Sequence, residues 1–113
     1  LSVGVMLGAT LLLEEDPRQA EIGFTLAAPF RGKGYAAEAV QRLLAYLFHD
    51  LGLHRVRANC DPENTASSRL LKAVGMRYEG RFVASLWFKG RWADEEWYAI
   101  LEQEWEAIQQ QSA

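Results

Sequence analysis

The stretch Arg31-Gly32-Lys33-Gly34-Tyr35-Ala36 places two glycines and two basic residues between an alternating apolar segment and a helical pattern. Glycine lets the backbone turn tightly and approach a ligand closely. The first N–H groups of a following helix have no internal partners, and the helix dipole adds partial positive charge there. Together these features favour a phosphate or pyrophosphate, with Arg31 and Lys33 supplying full charges. The plainer alternative is a tight strand-to-helix turn with solvated basic side chains. A P-loop is excluded, because it needs four residues between its glycines and then Lys-Ser/Thr. The dinucleotide pattern G-x-G-x-x-A fits Gly32, Gly34 and Ala37, and Asp61 ends the next strand. That pattern, however, starts directly after its strand, whereas residues 27–31, Pro29 among them, intervene here. Other reactive side chains are sparse. His49 and His54 stand isolated at element ends and read as structural. Cys60 reads as a small buried apolar residue, and an acyl-cysteine route would need an adjacent base that the sequence does not show. Trp87, Trp92, Trp97 and Trp105 read as core area, with a share in a pocket wall.

These residues must be positioned by elements that the pattern predicts. Residues 5–13 are apolar and β-branched and read as a strand, broken by a polar loop holding Pro17. Residues 21–26 alternate, with Ile22, Phe24 and Leu26 on one face and Glu21, Gly23 and Thr25 on the other. After the glycine turn, Ala36, Val40, Leu43, Leu44, Leu47 and Leu51 form one apolar helical stripe, with Gly52 as its C-terminal cap. Val56, Ala58 and Cys60 alternate with Arg55, Arg57 and Asn59 as a third strand. Asn64 or Thr65 can cap a second helix running to Val74 and closed by Gly75. Two strands flank Lys89-Gly90, a two-residue hairpin turn, and a short helix covers residues 102–110. The expected order is β-β-α-β-α-β-β-α.

The chain has 113 residues, which is one domain's length, and no repeat or linker divides it. Half its residues are apolar and 24% are charged, so it is not a disordered tail. With 12 basic and 15 acidic residues, its net charge of −3 argues against non-specific nucleic-acid binding. No apolar run approaches the ~18 residues of a membrane span. One cysteine permits no internal disulfide and no Cys-rich zinc site, so a reducing cytoplasm is the default compartment.

These motifs resemble the GNAT superfamily of acetyl-CoA-dependent N-acetyltransferases. Its pyrophosphate motif, Gln/Arg-x-x-Gly-x-Gly/Ala, matches Arg31, Gly34 and Ala36, and Ala20-Glu21-Ile22-Gly23-Phe24 looks like its central strand. Asn64, Ser67, Leu70-Leu71 and Val74-Gly75-Met76 are similar to a later helix of the ribosomal-protein N-terminal (alanine or serine) acetyltransferase branch. Tyr78-Glu79-Gly80, Lys89-Gly90-Arg91-Trp92 and Asp94 look like that branch's C-terminal hairpin. The resemblance covers nearly the whole chain. It implies a mixed, mostly antiparallel α/β sheet flanked by helices, as one domain over residues 1–113 lacking the family's first strand and helices. It implies acetyl-CoA as co-substrate, with no metal. The central strand would part from its neighbour near Leu26, Ala27 and Ala28, whose backbone would bind the pantetheine arm. The amides of Arg31, Gly32, Lys33, Gly34, Tyr35 and Ala36 would hold the pyrophosphate, with Asn64 touching the arm from the other side. Lys33, Arg69 and Lys72 are candidates for the adenosine phosphates, or simply solvated helix charges.

The implied reaction is direct acyl transfer from the thioester to a neutral amine, with coenzyme A leaving as thiolate. A proton must leave the amine, and the sulfur must be stabilised. A lysine amine, pKa ~10.4, is neutral about once in 2500 molecules at pH 7, whereas an α-amine, pKa ~7.7–8.0, is neutral in ~10%. The expected acceptor is a peptide or protein N-terminal α-amine, by branch resemblance. Glu21 is the first choice for the base, and its alternative is pairing with Arg55 or Arg57. Ser67 is the candidate at the sulfur, because the family's usual tyrosine position holds Leu71; its alternative is a helix-surface hydroxyl. A glutamate that some members carry near Ser85-Leu86-Trp87 is absent. The rival from another class is a non-catalytic CoA-binding or dimerisation module. A sheet edge left open by missing strands would favour a homodimer.

Overall fold

The computed structural model describes residues 5–11, 18–26 and 35–111 of the chain. The five strands are β1 (Val5–Leu11), β2 (Gln19–Leu26), β3 (Arg55–Cys60), β4 (Arg77–Phe88) and β5 (Arg91–Leu101). The helices are α1 (Tyr35–Ala45), α2 (Thr65–Ala73) and α3 (Glu102–Gln111). The element order and type agree with the pattern read from the residues. All strands form one sheet in the order β1-β2-β3-β5-β4. Only β2 and β3 run parallel, which the intervening α1 allows; the other neighbours are antiparallel.

Alternation fixes which side of the sheet becomes core. Ala20, Ile22, Val56, Ala58, Tyr98 and Ile100 are buried on one face. Val40 and Leu44 of α1 and Leu71 of α2 pack onto it, with Trp105 and Ile108 of α3 against the same cluster. The register places Glu21 beside Arg57 and Asn59 beside Trp97 on the opposite face. That face carries ion pairs: Glu21 with Arg57, and a chain in which Glu79 bridges Arg55 and Arg77 while Arg77 also grips Glu104. The Arg55 guanidinium holds the Glu79 carboxyl down at about 2; partial burial opposes it, and Arg77 adds to the lowering.

Two expectations are corrected. The apolar stripe does not continue to Leu51, which is exposed. After Ala45 the helix widens into one π-helical turn, Tyr46–Asp50. The wider turn shifts the spacing, so Phe48 faces the core beside the expected Leu47. Trp87 and Trp92 lie at the tip of the β4–β5 hairpin, outside the core, each 60% exposed. Their T-shaped contact is with each other, at 5.4 Å between centroids. The hairpin turn is as expected: Lys89 and Gly90 both adopt left-handed φ values, +52° and +77°.

Candidate active site

The chemistry-bearing end of the sheet is defined by where pairing stops. β2 keeps its partner β1 as far as Val5↔Leu26, and β3 keeps β5 as far as Cys60↔Glu96. The parallel pairing between β2 and β3 ends earlier, at Ile22↔Ala58. The sheet therefore forks, and residues 23–26 of β2 run on without pairing to Asn59 and Cys60 of β3. The expected parting near Leu26, Ala27 and Ala28 thus begins four residues sooner. Each strand follows its own outer partner, and strand twist then separates them. A Cβ at Gly23 would meet nothing within 4 Å among the described residues, so the Glu21 face of β2 is uncovered there. Backbone groups on the fork's inner edges have no strand partner across it, and an extended ligand can satisfy them.

Both helices that follow the forked strands begin at this end, because α1 connects two parallel strands and α2 leaves the end of β3. Helix starts carry unpaired N–H groups and partial positive charge. At α2, the Asn64 side-chain oxygen accepts the Ser67 N–H at 3.1 Å, forming the N-cap. The Asn64 side-chain nitrogen has no partner among the described residues. Asp61 supports the same turn, its Oδ1 accepting the Glu63 N–H at 2.8 Å. Ser67 is partly buried, one turn before the buried Leu71. Arg69 and Lys72 are exposed on α2 and form no ion pair among the described residues.

Glu21 sits one residue before the fork, on the face away from the helices. Its Oε1 accepts from Arg57 Nε at 3.1 Å, which is the pairing weighed as its structural alternative. The Arg57 guanidinium also lies 5.1 Å from the centroid of the Trp97 ring. Glu21 keeps about a third of its side chain open (35%), so the pair does not seal it off. Glu21 and Ser67 therefore flank the sheet from opposite faces at its forked end. Ala27, Ala28, Arg31, Gly32, Lys33 and Gly34 lie outside the described residues. Leu26 closes β2, Tyr35 opens α1, and Ala36 is buried against the core.

A cavity of about 270 Å³ adjoins the end of β3, lined by Asn59, Cys60 and Asp61 and by Leu86, Phe88 and Asp94 of the hairpin. Glu95 also borders it and accepts from Asn59 Nδ2 at 2.6 Å and from Ser85 Oγ at 3.0 Å. Burial pushes the Cys60 thiol up, reinforced by Glu96 and Asp61 and opposed by Lys72. A thiol kept protonated is a poor nucleophile, in line with the absence of a base beside it in the sequence. The Trp97 indole nitrogen is buried with no hydrogen-bond partner among the described residues. Asn59 and Glu95 were not singled out from the sequence, where they are ordinary polar residues on alternating strands, and Asp61 was weighed only as the acidic residue of a dinucleotide pattern.

Comparison with known proteins agrees with this geometry. A family model described as "Acetyltransferase (GNAT) domain" matches residues 2–77. The chain is 47% identical over 85 residues to the uncharacterized N-acetyltransferase YnaD of Bacillus subtilis, covering 75% of this chain and 50% of that protein. It is 30% identical over 84 residues to the ribosomal protein uS5-alanine N-acetyltransferase of Escherichia coli, covering 74% and 43%. To the spermidine N(1)-acetyltransferase of Vibrio cholerae it is 31% identical over 91 residues, covering 79% and 53%. A solved GNAT-family acetyltransferase from Bacillus anthracis superposes with a TM-score of 0.82 at 39% identity, covering 88% of this chain and 59% of that one. The chain thus spans about half the length of the curated relatives it matches.

Proposed function

The chain belongs to the GNAT acetyltransferase family, and from that premise we propose that it transfers acetyl from acetyl-CoA to a primary amine, with a peptide or protein N-terminal α-amine as acceptor. The observation that carries this is the fork: parallel pairing ends at Ile22↔Ala58, one residue beyond Glu21, with two helix starts at the same end. The fork fits acetyl-CoA, since its unpaired strand edges suit the amides of an extended arm and the helix starts suit phosphates. Leu26, Ala27 and Ala28 would take the arm, Arg31, Gly32, Lys33, Gly34, Tyr35 and Ala36 the pyrophosphate, and Asn64 the arm from the α2 side. Acetyl-CoA supplies an activated acetyl thioester.

In this reading the amine approaches from the Glu21 face and the thioester sulfur lies toward Ser67. Glu21 takes the proton that the attacking nitrogen must lose, and Arg57 orients the carboxylate from the neighbouring strand. The Ser67 hydroxyl donates to the departing sulfur. An α-amine suits a lone carboxylate, because ~10% of it is already neutral at pH 7. A polyamine acceptor is the second reading, favoured by the Asp61 and Glu95 carboxylates on the cavity beside the fork, where Asp94 is already paired with Arg81. The single cysteine, Cys60, suits a reducing cytoplasm. The chain works as a homodimer in this proposal.

Release of CoA thiol on a panel of α-amine peptides, ε-amine peptides and spermidine tests the assignment. Turnover with α-amine peptides supports it, and turnover confined to spermidine overturns the acceptor. Acetyl-CoA binding without turnover leaves a CoA-binding module. In Glu21→Gln the rate should fall by about 10²-fold at pH 7 and recover as pH rises past the amine's own pKa. An unchanged pH–rate profile removes Glu21 as base.

A further inference from the structure

We propose that the cavity between the end of β3 and the β4–β5 hairpin receives a basic side chain at the second position of the acceptor peptide, with Glu95 as the carboxylate that holds it. This rests on the α-amine reading above and names the residue that follows the reacting amine. Asn59 and Cys60, the β3 residues beside the fork, also line this cavity, so it opens next to where that reading brings the amine to the thioester. At about 270 Å³ it is smaller than the ~300–1,000 Å³ of a whole small-molecule site and has room for one long side chain. Its lining suits a chain that is apolar along its length and charged at its end. Leu86 pairs with Ala93, and Phe88 and Glu95, each two residues along its own strand, share that face. Leu86 and Phe88 are exposed there, and the methylene groups of a lysine or arginine would cover them.

The carboxylates on the cavity are not equivalent. Asp94 is paired with Arg81 at 2.6 Å and accepts the Ala84 N–H at 2.7 Å. Asp61 turns to its own loop, where its Oδ1 accepts the Glu63 N–H. Glu95 is held from both neighbouring strands by neutral donors, Asn59 Nδ2 of β3 at 2.6 Å and the Ser85 hydroxyl of β4 at 3.0 Å. The other acceptor near that hydroxyl, the Phe82 carbonyl, is farther at 3.3 Å. Ser85 reaches Glu95 because the register slips between Phe82 and Leu86, where Ala84 adopts a φ of +48°. Re-aiming a side chain in this way is what a bulge does. Asn59 and Ser85 are thus positioning residues. They fix the direction of the Glu95 carboxylate, and no lysine or arginine among the described residues pairs with it. A cation entering the cavity completes the arrangement with a charge-assisted hydrogen bond.

Ala-Lys amide and Ala-norleucine amide carry the same reacting amine and differ chiefly in the terminal ammonium. Titrated into the 113-residue chain and followed by NMR, Ala-Lys amide should bind about 5- to 20-fold more tightly and shift the Asn59 side-chain amide. With saturating acetyl-CoA, release of CoA thiol should show the same preference in KM, with kcat alike for the two peptides. Glu95→Gln should bring the binding ratio to about 1, with circular dichroism reporting that the variant is folded. Thiol release from neither peptide overturns the α-amine reading and the acceptor assignment with it. Turnover of both peptides with equal binding by the unaltered chain overturns the subsite alone. So does a preference that Glu95→Gln retains, or one that leaves the Asn59 side-chain amide unshifted.

Discussion

Asn64 holds two jobs in this account, and two substitutions separate them. Its side-chain oxygen caps α2 through the Ser67 N–H, and its nitrogen is unpartnered among the described residues and free to donate to the pantetheine arm. Asn64→Ala removes both. Loss of an N-cap costs about 1 kcal/mol, or roughly 4 °C in Tm for a chain of this size. Asn64→Asp keeps an acceptor at the cap and removes the donor. Its charge favours the helix dipole, while Asp61 and Glu63 nearby oppose another negative charge, so stability should stay within about 0.5 kcal/mol. Loss of one neutral hydrogen bond worth about 0.5–1.5 kcal/mol predicts acetyl-CoA binding roughly 2- to 12-fold weaker in Asn64→Asp. Thermal unfolding followed by circular dichroism reads the first effect, and calorimetric titration with acetyl-CoA reads the second. The reasoning fails at the cap if Asn64→Ala melts with the parent. It fails at the ligand if Asn64→Asp binds acetyl-CoA as the parent does.

Glu79 gives a pH signature. Its carboxyl lies lower folded than the ordinary 4.5, so its stabilisation is full above that value and is lost as pH falls toward about 2. The shift corresponds to about 3 kcal/mol at face value, and screening through its 30% exposed side chain reduces this to about 1 kcal/mol. Urea unfolding of Glu79→Gln should therefore show a deficit of that size at pH 7 that vanishes near pH 2; a deficit independent of pH contradicts the ion-pair origin. Gly75 ends α2 at a φ of +97°, and a Cβ there would collide with the Ile108 side chain of α3. Gly75→Ala should cost at least about 2 kcal/mol, since strain and overpacking add; an unchanged Tm would mean that α3 is not held there. Gly34→Glu, adding bulk and negative charge within the anion-binding motif, should abolish detectable acetyl-CoA binding with the melting curve unchanged. Undiminished binding removes that turn from the phosphate site.

Local periodicity carried most of the fold. β2 and β3 were legible because Ile22 and Val56 alternate with Glu21 and Arg57, and α2 because Asn64 and Gly75 bracket it. What depends on distant partners was less so. Nothing near Leu47 announces the π-helical turn that turns Leu51 outward. Trp87 and Trp92 have core composition and lie on the hairpin tip, because exposure is decided by what packs above them. The fork was expected from resemblance but displaced by four residues, since its position depends on where β1 and β5 hold their neighbours. Glu21 illustrates the limit for chemistry. The resemblance supplied its candidate role, the strand pattern left its pairing open between Arg55 and Arg57, and only the register could set it against Arg57.

The central claim is that acetyl-CoA lies in the fork between β2 and β3. Hydrogen–deuterium exchange with and without saturating acetyl-CoA tests it most directly. The account predicts slower exchange at the amides of residues 23–26 and at the start of α2 around Ser67, with the β4–β5 hairpin tip unaffected at fixed protein concentration. Acetyl-CoA that binds and leaves residues 23–26 unchanged contradicts it.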